Sequence, residues 1–381
     1  MVEQLTSSTH PLLPPTTEDD RLAWIRLLRS RRVGASTFYR LMAEHGTARQ
    51  ALEALPDIAR AAGLDGYEAF SERAAQAEMQ AARHARARMI CRGMADYPAL
   101  LAEIADPPPF FWAVGDTALL NRPAVALVGA RNASSLGTRM ARRLAEGLGA
   151  RGLVIVSGLA RGIDAAAHAA SLGTGTLAVM GGGVDVLYPA ENAKLAEDIP
   201  AASGLRISEQ PMGLQPQARH FPARNRLISG LARAVVVVEA AAKSGSLITA
   251  RAALDQGREV LAVPGHPFDT RAGGCNLLIR DGARLVRGPE DVIEVLDLPA
   301  VEGPQRQSVL PLAPPEPGPP RADATALHAR ILSRLGAAPV AEDQLIRDLA
   351  TPPDTVMPAL TELELDGRIR RHSGGLLALA V

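Results

Sequence analysis

The sequence predicts an α/β fold: a Rossmann-like, doubly wound parallel sheet in the middle of the chain, a helical domain before it and a winged-helix domain after it. Three observations carry that prediction. From Pro123 onward, short β-branched apolar runs alternate with helical segments, the pattern of a parallel sheet covered on both faces. Ahead of them, apolar residues recur at helical spacing. Behind a proline-rich stretch, three helical segments precede a hairpin, which is winged-helix order.

The first twenty residues are polar and proline-bearing and read as a frayed tail. The helical domain spans 20–95. Trp24, Ile25, Leu27 and Leu28 mark one apolar face, and Val33-Gly34-Ala35 a turn. Phe38, Leu41 and Met42 begin the next face, and Ala51 to Leu64 adds a third. A helix–glycine turn–helix unit can bind DNA, but small bundles more often serve packing or protein contacts. Residues 67–93, rich in alanine and arginine, read as one long helix. The prolines of Asp96-Tyr-Pro98 and Asp106-Pro-Pro-Pro109 forbid its continuation, so a connector whose aromatics pack on the core is expected there.

In the central domain, 96–298, strands are expected at 125–129, 153–157, 176–180, 234–239 and 259–263. Helices are expected at 135–149, 162–172, 224–233 and 246–256. Residues 299–322 read as a semi-rigid proline-rich linker and 323–381 as the C-terminal domain. The third helix of that domain carries Asp354, Glu362, Glu364 and Asp366 and no Lys or Arg. This favours an accessory or protein-contact role over reading DNA.

The 381 residues, 47% hydrophobic and 22% charged, suit a globular protein of two or three domains. No run is long enough to span a bilayer, and no signal peptide is evident. Cys91 and Cys275 lie too far apart for a cysteine-rich zinc site and suit a reducing cytoplasm. Basic and acidic residues balance at 41 each, but unevenly: residues 121–298 hold 20 Lys and Arg against 16 Asp and Glu. So small an excess matters only if it clusters in space.

Ligands of such a sheet bind at the carboxyl ends of its strands. The polar and glycine-rich segments fall there: Gly129-Ala-Arg131, Ser157-Gly158 with Arg161, Gly181-Gly-Gly183, and Lys243-Ser244-Gly245-Ser246 with Thr249. Phe221-Pro-Ala-Arg224-Asn225-Arg226 adds two arginines at an expected helix start. Helix N-termini and arginine forks both hold phosphate. Gly181-Gly-Gly183 is either a tight turn needed for backbone approach or merely a loop.

Arg131 stands where a GxGxxG motif needs its second glycine, and the strand ending at Ser157-Gly158 lacks the ribose-binding acid, so no nicotinamide cofactor is expected. The sequence has no GxxxxGK(S/T). Asp164 and His168 could meet on a helix, but no nucleophile accompanies them. Asp164 reads as a cap or as Arg161's partner, and His168 as structural. His220 and His266 have no metal-like spacing. No catalytic residue, metal or cofactor is assigned.

Several motifs together resemble the DprA/Smf family of DNA-processing proteins over nearly the whole chain. They are Tyr97-Pro-Ala-Leu-Leu101, Val128-Gly-Ala-Arg131, Ser157-Gly-Leu-Ala-Arg-Gly-Ile-Asp164 with His168, Tyr188-Pro189 with Asn192, and Ser208-Glu209. They continue through Phe221 to Gly230, Ser244-Gly-Ser246, Val263-Pro-Gly265 and Gly274-Cys-Asn-Leu-Leu-Ile-Arg-Asp-Gly-Ala283. The resemblance implies an extended Rossmann domain that binds single-stranded DNA, forms a homodimer and helps load RecA recombinase in natural transformation. It places the strand-binding pocket on Arg131, Phe221, Arg224, Asn225, Arg226, Lys243, Ser244, Gly245, Ser246 and Thr249. Where the family often has Gly-Ser-Arg, Gly129-Ala-Arg131 lacks one hydroxyl donor. The residues themselves agree, since a strand bound without sequence preference needs cations along phosphates and a stacking face such as Phe221. The competing class is a nucleotide-processing enzyme of the phosphoribohydrolase type. Its glycine loop is followed by a glutamate, whereas here none occurs until Glu259, beyond the helix. A protein-binding scaffold is the third class.

Overall fold

A computed structural model describes residues 12–297, 321–335, 339–349, 351–372 and 375–380. They belong to two compact units divided between Val301 and Glu302. The first opens with four helices, α1 (Glu18–Arg29), α2 (Ala35–His45), α3 (Ala48–Ala61) and α4 (Glu72–His84). A capping box starts α1. Asp20 N donates to Thr17 Oγ1 (3.1 Å) and Thr17 N donates to Asp20 Oδ2 (3.2 Å). The chain is therefore helical from Glu18, ahead of the expected end of the frayed tail, whose residues 1–11 lie outside the described ones.

Residues 67–93 do not form one helix. After α4 the chain turns at Arg86, which has a φ of 54°, and Arg88–Cys91 is a strand, β1. Past the short helix α5 (Ala99–Ala102), Phe110–Gly115 is also a strand, β2, and not a connector. Phe110, Trp112 and Val114 pack with Trp24, Phe38 and Leu41 of the helices, while Phe111 and Ala113 pack into the core of the sheet. Glu78 of α4 accepts from Trp112 Nε1 (2.8 Å) and from Arg29 Nη2 (2.9 Å), which pairs a charge buried at this seam.

The α/β part continues with β3 (Ala124–Gly129), α6 (Ser135–Ala150), β4 (Val154–Ser157), α7 (Ile163–Ser171), β5 (Thr176–Val179), α8 (Ala193–Ala201) and β6 (Leu205–Ser208). It ends with α9 (His220–Gly230), β7 (Ala234–Glu239), α10 (Ser246–Asp255), β8 (Glu259–Ala262), α11 (Gly273–Arg280), β9 (Arg284–Leu285) and α12 (Pro289–Val295). The nine strands lie in the order β1-β2-β6-β5-β4-β3-β7-β8-β9. From β6 to β9 all pairings are parallel; β1 and β2 add an antiparallel edge. The five expected strands are present; β6 and β9 were not expected. The sheet is doubly wound. Val125 and Leu127 pack on α6, α7 and α12, and Ala126 and Val128 on α9, α10 and α11.

Helix α9 begins at His220, not at 224. Pro222 sits in its first turn, where a missing N–H costs no helical hydrogen bond. Arg224 and Arg226 are therefore inside the helix.

The second unit comprises α13 (Arg321–Arg334), β10 (Val340–Ala341), α14 (Glu342–Leu349), α15 (Pro353–Leu365), β11 (Ile369–His372) and β12 (Leu376–Leu379). Its three strands lie in the order β10-β12-β11, around a core that includes Ile331, Leu345, Leu360 and Leu377. This is the expected winged helix. On α15, Glu364 pairs with Arg371 (3.4 Å). The linker expected over 299–322 lies outside the described residues up to 320, and its last two residues belong to α13.

Candidate nucleic-acid interface

Strand β3 pairs with β4 on one side and β7 on the other, so the winding reverses there. In open α/β sheets the ligand crevice lies outside the carboxyl ends of the strands at such a point. An open cleft of about 880 Å³ occupies it. Gly129, Arg131, Phe221, Arg224, Asn225, Lys243, Ser244, Gly245, Ser246 and Thr249 line this cleft; Ser157, Gly158, Arg161 and Arg226 do not.

Those four have other work. Ser157 is fully buried, its Oγ donating to Leu127 O (2.6 Å). Gly158 N donates to Asp164 Oδ2 (3.1 Å). Arg161 is exposed and pairs with Glu191 (3.5 Å). Arg226 pairs with Asp106 (2.9 Å) and Glu209 (2.6 Å), lining a separate hollow beside Arg29 of the helical domain.

Arg224 does line the cleft, but as its floor. It is 5% exposed, and Nη1 donates to the carbonyls of Gly158 and Val179, both at 2.6 Å. Burial pulls its pKa down to about 10 against the attraction of Asp164. A side chain on Gly158 would place Cβ 2.1 Å from Arg224 Nη1, so only glycine admits this contact. Asp164 does not pair with Arg161 but accepts from Gly158 N and Ala160 N (3.1 and 3.3 Å). Burial raises its carboxyl above the usual range, opposed by Arg224 and these donors.

His168 is also fixed: Leu159 N donates to Nε2 (3.3 Å), leaving Nδ1–H to donate to Thr176 Oγ1 (2.7 Å). Burial depresses its pKa to about 3, so the imidazole is neutral. Asn192 Nδ2 donates to Leu159 O (2.9 Å), where the backbone has a φ of 56°. Asp164, His168 and Asn192 thus shape the loop beneath the cleft.

Two of the expected cations remain available. Arg131 and Lys243 are exposed and have no ion-pair partner among the described residues. The Arg131 guanidinium lies 5.2 Å from the centre of the Phe221 ring. Tyr188, 48% exposed, lies 6.0 Å from that ring, centre to centre. A side chain on Gly182 would place Cβ 2.5 Å from Leu214 O and one on Gly183 2.7 Å from Pro211 O, so these glycines admit a close approach of the 211–214 backbone, while one on Gly181 would meet the Phe221 ring at 3.0 Å. Sequence reading assigned no role to Tyr188, although an aromatic in a loop beside a proline was a signal. It also missed Arg271, which lines the cleft and pairs with Asp269 (3.3 Å) and Glu239 (3.9 Å). No neighbouring pattern marks Arg271.

Among the helix N-termini around the cleft, that of α6 is occupied. Glu239 accepts from Ser134 N (3.0 Å) and Oγ (2.5 Å), supplying the negative charge a helix N-terminus favours. The α10 end opens into the cleft through Gly245 and Ser246, but its first donors are engaged: Ser246 N donates to Ser244 Oγ (3.4 Å), Leu247 N to Ser244 O (3.1 Å) and Ile248 N to Gly245 O (3.1 Å). Asn225 Nδ2 ties it to α9 through Gly245 O (3.4 Å). An anion in this part of the cleft would be held by Lys243 and Arg131, with the positive end of the α10 dipole facing it. Asp164 is the one carboxylate among the described residues of the cleft, and its Oδ2 is already held by two backbone donors. Glu259 is exposed at the start of β8, at the opposite end of the strand from the cleft.

The family model for DNA recombination-mediator protein A matches residues 88–297, more than half of the chain. The chain belongs to the DprA/Smf family. Models for a DprA-like N-terminal HHH domain and a DprA winged helix domain match 18–81 and 314–375. Protein Smf of Escherichia coli is 38% identical over 287 residues, covering 74% of this chain and 75% of that protein. DNA processing protein DprA of Streptococcus pneumoniae is 47% identical over 199 residues, 52% of this chain and 70% of that one. The solved structure of S. pneumoniae DprA aligns with a TM-score of 0.55 and 42% identity, over 59% of this chain and 77% of that one. A Helicobacter pylori DprA structure, concerned with its single-stranded DNA binding mode, aligns at 0.51 and 30% identity, over 56% and 97%. Among the described residues of this DprA/Smf chain, no helix is long and apolar enough to cross a membrane.

Proposed function

We propose that this DprA/Smf protein binds single-stranded DNA in the cleft at the sheet's switch point, protects incoming strands and passes them to RecA, acting as a cytoplasmic homodimer. One observation carries the reading: two unpaired cations, an aromatic pair of exposed Tyr188 and half-buried Phe221, and the start of α10 face the same open space. Arg131, Lys243 and the Ser244–Ser246 turn with Asn225 hold phosphates, Phe221 with Tyr188 stacks a base, and Thr249, 2% exposed, forms part of the floor. Gly129, Ser157, Gly158 and Arg224 support the loops, and Arg161 and Arg226 serve structure. The cleft holds a strand without cutting it, because Asp164 has no free reach to act as an acid or base. The single-strand binding mode of the H. pylori relative supports this choice of ligand.

Fluorescence anisotropy with a labelled oligothymidylate and a blunt duplex of equal length tests the reading. The single strand should bind more tightly, with no nucleotide or strand hydrolysed in the same reactions. Phe221→Ala should weaken binding by about 1–3 kcal/mol. Equal affinity for the duplex would count against the proposal. Delivery to RecA has its own readout: ATP hydrolysis by RecA on strands coated with single-strand-binding protein should rise when the protein is added, and no rise would remove this step.

We assign strand binding to residues 96–298 and an accessory role to 323–381, whose α15 is acidic. Truncation after Leu298 should leave affinity for the strand unchanged. A large loss, with circular dichroism showing the remainder folded, would overturn this division.

A further inference from the structure

A second open cleft, of about 550 Å³, adjoins the first: Arg271 lines one, and its partner Glu239 lines the other. Arg139 and Arg143 of α6 line the second cleft four residues apart, on one face of the helix. Both are exposed and have no ion-pair partner among the described residues. The loop between β8 and α11 supplies His266 to the same cleft. Phe268 stands beside it, with ring centres 5.5 Å apart. Phe268 is 92% exposed, whereas Phe38, Phe110 and Phe111 are fully buried. The loop is anchored, since Gly265 N donates to Asn276 Oδ1 (3.2 Å) and Asn276 Nδ2 donates back to Gly265 O (3.0 Å). Phe268 N donates to His266 Nδ1 (3.3 Å).

Two carboxylates line this cleft, and both are engaged. Glu239 accepts from Ser134 and pairs with Arg271, and Asp269 pairs with Arg271 at 3.3 Å. Neither carboxylate pairs with Arg139 or Arg143; Glu290 of α12 lies near the Arg143 guanidinium without an ion pair, so both arginines keep their charge for the cleft. Cations four residues apart beside a bare aromatic pair are the two parts a single strand requires, phosphate contacts and a stacking platform.

We infer that single-stranded DNA leaving the first cleft continues into the second, with phosphates on Arg139 and Arg143 and a base on the Phe268–His266 pair. This path rests on the function proposed for the first cleft. An acidic peptide could use the same arginines, but the shared wall and the exposed rings favour the strand.

The test compares oligothymidylates of about 6 and about 20 nucleotides, the first near the short end of a typical single site and the second beyond it. Anisotropy is read across a salt series with the full-length chain, and circular dichroism checks each variant. The short strand should bind the wild type and Arg139→Ala/Arg143→Ala alike. On the long strand that double variant should flatten the slope of log K against log salt by about 1.4, two contacts at about 0.7 each. Phe268→Ala should weaken the long strand roughly 5- to 150-fold, the equivalent of one stacked base.

Unchanged long-strand binding in folded second-cleft variants, while Arg131→Ala/Lys243→Ala loses both lengths, would overturn the path and leave the first cleft standing. Indifference of both lengths to Arg131→Ala/Lys243→Ala would remove the first reading and the path with it. A fall in sedimenting mass together with lost binding would make this face a contact between copies. An acidic, aromatic-ended peptide that needs Arg139 and Arg143, with long-strand binding unmoved by their loss, would make it a peptide groove. Either result overturns the inference.

Discussion

Arg224→Ala should destabilise the first unit by about 1–3 kcal/mol, because it leaves the buried carbonyl oxygens of Gly158 and Val179 without their donor and removes a positive charge that favours the Asp164 carboxylate. Urea unfolding at neutral pH is the measurement. Arg224→Lys should recover little, since an ammonium on a flexible stem does not reproduce the planar fork. Strand binding should fall in both variants only as the fold is lost. A variant as stable as the wild type that binds no DNA would return Arg224 to the role its sequence context suggests, a direct phosphate contact.

Arg131→Ala/Lys243→Ala should behave in the opposite way, leaving the protein folded and weakening the strand. Both side chains are exposed and unpaired, so their removal strands no buried partner. If each neutralises one phosphate, the slope of log K against log salt should flatten by about 1.4 for the pair. Salt titration by anisotropy, with unfolding curves matched to the wild type, separates this result from general damage. A folded double variant with wild-type affinity and slope would show that the strand does not cross this cleft.

The contrast between these variants shows where sequence reading stopped. The parallel strands were legible because each is apolar on both faces and short, which a covered sheet requires. The cleft was legible because the winding rule places ligands at the strands' carboxyl ends. Which arginines face it was not legible. Arg226 is neutralised by Asp106 and Glu209, and Arg224 is tied down by hydrogen bonds to backbone carbonyls far along the chain. No local pattern announces such partners. Strand β1 was hidden by the helix propensity of the alanines and arginines before it, and β2 by the prolines that lead into it. Strand β6 was hidden by Arg206, a charge within a four-residue run.

Strand β2 belongs to two cores at once, through Phe110, Trp112 and Val114 on one face and Phe111 and Ala113 on the other. The helical domain is therefore not a bead on a tether. Helices and sheet share β2 as a common wall, so no cut between them leaves both cores covered. A cut there uncovers Trp112 and takes away the acceptor of its indole N–H, Glu78. In this chain helices and sheet should therefore unfold as a pair.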